Sequence, residues 1–488
     1  MKRSTACALL VLGCLAAPAL AAEPTVLKSP TGKVEVSFSL AEDGVPVYSV
    51  TYAGKPVVAG SRLGLTLRQT GPLASGFRVL DVKRASRDEK YTLVAGKTRE
   101  ARDRSEEMTV SLERAGDRPV RLDVVFRAFD DGAAFRYVLP KQAGLDRVDV
   151  VSEDTRFRFL ADHKAWVLQL ASFTTSNERE FVPMSLLGIK PESIVGPPLT
   201  IEAGDGLVVA LAEANLRKWS GLHFARVEGG NDSRQPTLVT KLAPLPSQPD
   251  VVVRGTLPLV SPWRVLMLGA KPGDLVTSTI LTSLADPSEI GDTSWIKPGK
   301  VAWDWWSGPV VPNVPWKAGM NNETFRHFID FAAEFGLEYV LIDAGWYGAD
   351  FRDGELDVTK PIPGMDIADL VAYARAKNVG ILLWLYWHLA SDQMDVAFPL
   401  YEKWGLAGVK IDYMDRKDQE IVAFSQRAAR TAAKYHLTVD FHGAYAGSGE
   451  ERTFPNWLTR EGVMGLEYNK WSDRVTPRHN VRSPSPGC

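Results

Sequence analysis

The chain has 488 residues, of which 45% are hydrophobic and 24% charged, and its formal net charge is -2. That is the composition of a soluble globular protein, with room for about two to four domains. Fifty-seven basic residues against 59 acidic ones exclude an electrostatic case for nucleic acid as the main partner.

Residues 1–22 read as a secretory signal peptide. Lys2 and Arg3 precede an apolar run, and Ala19-Leu20-Ala21 supplies a small-x-small cleavage site. The expected compartment is the periplasm. A lipid anchor through Cys14 and full secretion are the alternatives, and no later stretch is apolar enough to span a membrane. Cys7, Cys14 and Cys488 are the three cysteines, so the exported part has no pair with which to form an internal disulfide.

Residues 23–288 alternate over short runs. Lys33–Leu40, Val45–Val50 and Val120–Arg127 predict strands, with Pro46 suiting an edge strand. Asp43-Gly44, Asp131-Gly132 and Asp205-Gly206 predict turns. Many short strands with frequent turns predict a large β-sandwich. After residue 286 the rhythm becomes strand, helix, strand. Apolar strands are expected at Val301–Trp306, Glu338–Asp343, Val379–Tyr386, Gly408–Asp412, Leu437–His442 and, sixth, Met464–Glu467. Helices are expected at Asn322–Phe335, near Asp366–Lys377, near Met394–Trp404 and over Lys417–His436. This is the pattern of a parallel (β/α)₈ barrel over residues 289–480, whose active-site face is built from the C-terminal strand ends. Six strands fall short of eight. Residues 481–488 (VRSPSPGC) carry neither pattern and read as an aberrant tail, so the expected barrel is incomplete.

The chemistry concentrates at the strand ends. Lys410 and Asp412 lie two apart on one strand and share a face, where the lysine would hold the carboxylate ionised as a nucleophile. A pair that merely neutralises charge is the plain alternative. Glu467 sits in an apolar context that would raise its pKa and suit a general acid. Glu461, six residues earlier, could be a metal ligand, and for both glutamates a solvated loop carboxylate is the alternative. Asp412 with Glu467 would form the carboxylate pair of a glycosidase. Fourteen Trp are more than the length leads one to expect. Trp303, Trp305, Trp306, Trp346, Trp384, Trp387, Tyr413 and Tyr468 could stack on sugar rings, with core packing the alternative for each. Asp304 and Asp343 could bind hydroxyls. Whether Asp415 and Arg416 contact sugar or brace the loop stays open.

The segments Trp303-Asp304-Trp305-Trp306, Ile342–Trp346, Val409–Arg416 and Arg460–Trp471, in this order, resemble glycoside hydrolase family 97, a family of bacterial α-glucosidases and α-galactosidases. The resemblance runs from about Glu23 to Asn480. It implies an N-terminal β-super-sandwich, a catalytic (β/α)₈ barrel, a small C-terminal β-domain and a calcium ion near the catalytic carboxylates. The inverting branch carries a base glutamate in a His-Glu-Ala context. Here that context is His442-Gly443-Ala444, which implies the retaining, α-galactosidase-like branch. By this resemblance Asp412 is the nucleophile and Glu467 the acid/base. Asp304, Asp343, Trp346, Lys410 and His442 are the residues expected to bind substrate. Glu461, Glu467 and a sandwich glutamate, Glu178 with Glu180 as fallback, hold calcium. The expected substrate is an oligosaccharide or small galactoside, and the expected assembly a monomer or weak dimer. An α-glucosidase, or an inactive carbohydrate-binding remnant, are the competing readings.

Overall fold

A computed structural model describes residues 23–116, 118–228 and 235–482. The signal segment, all three cysteines and residues 483–488 of the tail lie outside them. Among the described residues, no helix is long and apolar enough to cross a membrane.

Up to Gly269 the chain is built of antiparallel strands. Thr25–Lys28, Val34–Ala41, Val45–Tyr52 and Lys55–Arg62 form one four-stranded sheet in chain order. Strict alternation buries Val34, Val36 and Phe38 on one face and leaves the intervening residues at the other. The strand containing Pro46 is not the expected edge strand: it pairs on both sides. Proline is tolerated there because it occupies the second residue, at the strand's end. The three turn pairs fall between consecutive strands as expected. A 13-stranded sheet and a second four-stranded sheet complete this region. Val208–Ala214 and Trp263–Gly269 are buried along their whole length. Arg264 lies in the second of them, fully buried, so its charge must be met internally. Glu153 takes it through two bonds of 2.7 and 2.6 Å, and Glu213 through one of 2.9 Å.

The C-terminal region is a half-barrel of six parallel strands in chain order. They are β1 (Val301–Trp303), β2 (Tyr339–Ile342), β3 (Gly380–Tyr386), β4 (Gly408–Asp412), β5 (Thr438–Phe441) and β6 (Trp457–Arg460). Helices α1 (Asn322–Phe335), α2 (Ile367–Arg375), α3 (Trp387–Trp404) and α4 (Gln419–Lys434) cover the outer face. Closure of a barrel requires eight strands; the described residues supply six of them. Asn321, Asp366 and Asp418 cap α1, α2 and α4 by accepting backbone N–H bonds. The sixth strand is not Met464–Glu467. Gly465 interrupts that stretch and Gly462 lies just before it, and Leu466–Lys470 forms a 3-10 turn with no buried residue. The true β6 lies at Trp457–Arg460, where Trp457 packs on Phe441 at 4.4 Å.

One apolar cluster runs continuously through both regions. Arg452 fastens them together. Its guanidinium is buried, lies 3.9 Å from the Tyr91 ring centre, and donates to the carbonyls of Thr282, Ser283 and Ala285 at the end of a short helix. Replacing Arg452 by Met leaves those acceptors without that partner. The expected loss is about 3 kcal/mol, read as a lower urea midpoint with an unchanged slope.

Candidate active site

The parallel register sets the site. Trp384 on β3, Lys410 on β4 and Asp440 on β5 are neighbours at one level. Tyr386 and Asp412 pair one step nearer the C-terminal ends. Side chains two apart share a face, so Lys410 and Asp412 project together into the mouth. There a pocket of about 460 Å³ opens, within the range of small-ligand sites. Asp343, Lys410, Asp412, His442, Glu461 and Glu467 all line it.

Lys410 is 3% exposed. Its ammonium lies 3.0 Å from Asp343 Oδ2 and 3.1 Å from Asp412 Oδ2, and 4.4 Å from the Trp303 ring centre. Burial works against its charge, but the carboxylates of Asp412 and Asp343 outweigh burial and raise its pKa above the usual lysine range. Burial would likewise raise the Asp412 carboxyl. Lys410, followed by His442 and the Trp384 indole, reverses that and holds Asp412 below the ordinary aspartate value. Oδ2 accepts from Lys410 and from Trp384 Nε1 at 2.9 Å. Among the described residues Oδ1 accepts the Tyr413 N–H alone, at 2.6 Å, which leaves a lone pair free.

His442 joins this charge pair to a second group of acids. Its Nδ1 is 2.8 Å from Glu461 and 3.9 Å from Asp412; its Nε2 is 3.1 Å from Asp440. Burial lowers its pKa, yet Asp440 and Glu461 push it up to about 10, so the ring is an imidazolium at neutral pH. Beyond it, carboxylate oxygens of Glu178, Glu461 and Glu467 lie within 4.8 Å of one another. Burial and the neighbouring carboxylates of Glu461 and Glu467 push Glu178 up to about 7. Three hard, mutually repelling oxygen donors, with room for water or substrate in the remaining positions, fit a calcium ion. Glu180 does not join them: it forms a two-bond ion pair with Arg474 at 2.5 Å.

Glu467 does not sit in the apolar enclosure its sequence neighbours suggest. It is half-buried on the 3-10 turn at the pocket wall and accepts a hydrogen bond from the Trp305 indole. Lys470 of the same turn holds Trp305 by its carbonyl at 2.8 Å and lies over its ring.

Two expected sugar contacts lie elsewhere. Trp346 is fully buried and donates to the Trp384 carbonyl at 2.8 Å, because the turn at Gly345 (φ 114) carries the ring into the core against Tyr347 and Tyr401. Asp304, 3% exposed, supports Asp343 by accepting its N–H at 3.1 Å. It borders a neighbouring depression rather than the pocket. Burial, then the Asp343 charge, pushes its carboxyl up to about 7.

Of the aromatic residues, Trp303, Trp305, Trp384, Tyr413, Tyr468 and Trp471 line the pocket, whereas Trp306 and Trp387 do not. Asp415 also lines it, pushed up to about 6 by burial and then by Asp412. Arg416 instead braces the loop by pairing with Asp418 and Glu420. Asp440 and Phe351 were missed: Asp440 through its partner two residues on, Phe351 because it sits in a loop without pattern. A Cβ at Gly443 (φ 64) would stand 2.3 Å from Asp415 Oδ1 and 3.0 Å from the Asp415 nitrogen, so the Asp415 side chain would have to turn away to admit one.

Residues 27–287 match the glycosyl-hydrolase 97 N-terminal family and residues 305–463 match glycoside hydrolase 97. The chain is 32% identical over 471 residues to a retaining alpha-galactosidase of Bacteroides thetaiotaomicron, covering 91% of this chain and 68% of that protein. It is 32% identical over 457 residues to a probable retaining alpha-galactosidase of Streptomyces bingchenggensis, covering 91% and 65%. It therefore spans about two thirds of the length of these relatives. A glycoside hydrolase family 97 enzyme from Pseudoalteromonas sp. strain K8, solved with acarbose, superposes with a TM-score of 0.82 at 28% identity, covering 92% of this chain and 70% of that one. The parallel half-barrel, the acidic pocket at its strand ends and these matches agree: the chain belongs to glycoside hydrolase family 97.

Proposed function

We propose that this protein is a retaining, exo-acting α-galactosidase that uses Asp412 as nucleophile, Glu467 as acid/base and a calcium ion held by Glu178, Glu461 and Glu467. The observation that carries the reading is the Asp412 carboxylate at the end of β4, 3.1 Å from the Lys410 ammonium in a pocket it shares with Glu467. Gly443 has no carboxylate to serve as base after the next strand, and the space a side chain would take there is occupied by the Asp415 carboxylate. The relatives from Bacteroides thetaiotaomicron and Streptomyces bingchenggensis, named retaining alpha-galactosidases, support the choice of sugar.

In the first step Asp412 Oδ1 attacks the anomeric carbon while Glu467 gives its proton to the glycosidic oxygen. The C–O bond breaks, the aglycone leaves as an alcohol, and a galactosyl ester of Asp412 remains. Glu467, now a carboxylate, takes a proton from water. The resulting hydroxide displaces Asp412 and releases α-galactose. Two inversions give net retention and require the carboxyl groups to lie about 5–5.5 Å apart. Asp343 and His442 bind sugar hydroxyls, and Lys410 keeps Asp412 charged until attack. Bound calcium would offset the negative charge of the glutamate cluster and offer a site for a sugar hydroxyl.

A second reading, α-glucosidase, is favoured by the Pseudoalteromonas relative, which was also solved as a variant with panose. Parallel assays on p-nitrophenyl α-galactoside and α-glucoside, with the product anomer followed by NMR, separate the two. Early α-galactose is the expected result; early β-anomer would overturn the retaining mechanism. Sugar binding without turnover would indicate a carbohydrate-binding protein.

Replacing Asp412 by Gly should lower kcat by roughly 10⁴-fold or more, with partial rescue by azide through a β-galactosyl azide product. Replacing Lys410 by Met should lower kcat/KM roughly 10²-fold. The acidic limb of its pH profile should move to higher pH. The ammonium is what holds Asp412 below its ordinary value, and burial alone raises it. Calcium at a hundredfold excess over Kd should stabilise the protein by about 2.7 kcal/mol. Glu461→Gln should abolish most of that gain in a thermal melt.

A further inference from the structure

The loop Tyr413–Asp418 carries the chain from Asp412 to α4. Tyr413 (φ 63) and Asp415 (φ 45) hold left-handed backbone although neither is glycine. Such a conformation persists only where the surroundings over-determine it. Asp415 donates its N–H to the Gly443 carbonyl at 2.9 Å and accepts the Thr175 N–H at 2.7 Å. The Lys417 carbonyl accepts the Gly221 N–H at 2.8 Å.

The Lys417 side chain then leaves the barrel altogether. It runs past Gly221 of the sandwich so closely that a Cβ there would stand 2.0 Å from Lys417 Cγ and 2.1 Å from Cε. Its ammonium reaches Glu213 Oε1 at 3.0 Å and the Leu222 carbonyl at 3.2 Å. Glu213 is itself fixed by the Leu222 N–H at 3.0 Å and by Arg264. The side chains of Lys417, Glu213, Arg264 and Glu153 are all at most 5% exposed. Lys417 does not line the pocket with Asp412 and takes no part in the reaction proposed above. A full set of apolar side chains in place of these four charges would often pack at equal or better stability, so stability alone does not account for the lysine. What the lysine adds is direction: two short bonds that fix where its backbone lies.

We propose that Lys417 is a positioning residue, a pin passed from the nucleophile loop into the sandwich past Gly221 and locked on Glu213, which fixes Tyr413 and Asp415 and so the orientation of the Asp412 carboxylate. This rests on the reading of Asp412 as the nucleophile. It gives the sandwich a part in catalysis, since the lock lies outside the barrel.

The test compares the full chain with Lys417→Met and with Glu213→Gln, which weakens the lock while keeping the side chain's shape should the first variant fail to fold. Hydrogen–deuterium exchange should quicken at least tenfold at the Tyr413 and Asp415 amides, with Val34–Tyr52 unchanged. On p-nitrophenyl α-galactoside, kcat should fall at least tenfold and KM change less than threefold. The acidic limb should also move to higher pH as Asp412 drifts from Lys410. Gly221→Ala should reproduce these effects alone, since its Cβ would strike the Lys417 stem. Unchanged exchange at 413–415 overturns the pin whatever the substrate. Faster exchange throughout both regions with an unmoved pH limb also overturns it, leaving Lys417 a stabilising residue only. An unaltered chain that turns over no aryl galactoside would instead overturn the proposed function, and exchange alone would then decide the pin.

Discussion

The site depends on one buried ammonium. Lys410 stands between Asp343 and Asp412 with almost no solvent, bonding both carboxylates, and it is the main influence holding Asp412 below its ordinary value against burial. The same cation lies over Trp303, whose indole donates to Asp343 at 2.6 Å. Removing the charge would leave two desolvated acids and an indole with a weakened acceptor. The parallel register puts the ammonium there, because Lys410 sits level with Trp384 and Asp440 while Asp412 stands one step further out.

From Lys410 the charges alternate outward. Asp412 is followed by the His442 imidazolium, then by Glu461 and the other two glutamates. Successive elements contribute them: β4 gives Lys410 and Asp412, the end of β5 gives His442, and the segment after β6 gives Glu461 and Glu467. Glu178 arrives from the sandwich, on a segment whose Asn177 amide donates to the Ala444 carbonyl at 3.1 Å. The acidic cluster is thus assembled by both regions of the chain, and its geometry depends on how they meet.

Most of the parallel sheet was legible because its strands are continuous apolar runs ending in polar residues, a pattern that local physics enforces. The pairing of Lys410 with Asp412 was legible for the same reason, being a consequence of two-residue periodicity. The sixth strand was misplaced because Trp457–Arg460 has only two apolar residues, while Met464-Gly465-Leu466 offers an apolar look without the backbone for a strand. Trp346 was misassigned because composition cannot tell which way a ring turns after a glycine. The choice between Glu178 and Glu180 rested on resemblance; their neighbours in sequence are alike, and only the position of Arg474, nearly three hundred residues away, separates them. Lys417 could not be read at all, since its partners lie some two hundred residues earlier.

Gly443 has a consequence for how stereochemistry could change in such a scaffold. Its missing Cβ is the space that Asp415 fills, and its left-handed backbone suits glycine above other residues. A carboxylate introduced at 443 would meet Asp415 before it met any substrate. The Asp415 side chain would have to turn away first, which would redirect a pocket-facing acid beside Asp412. Under the proposed retaining mechanism, the anomeric outcome would therefore depend on positions 443 and 415 together.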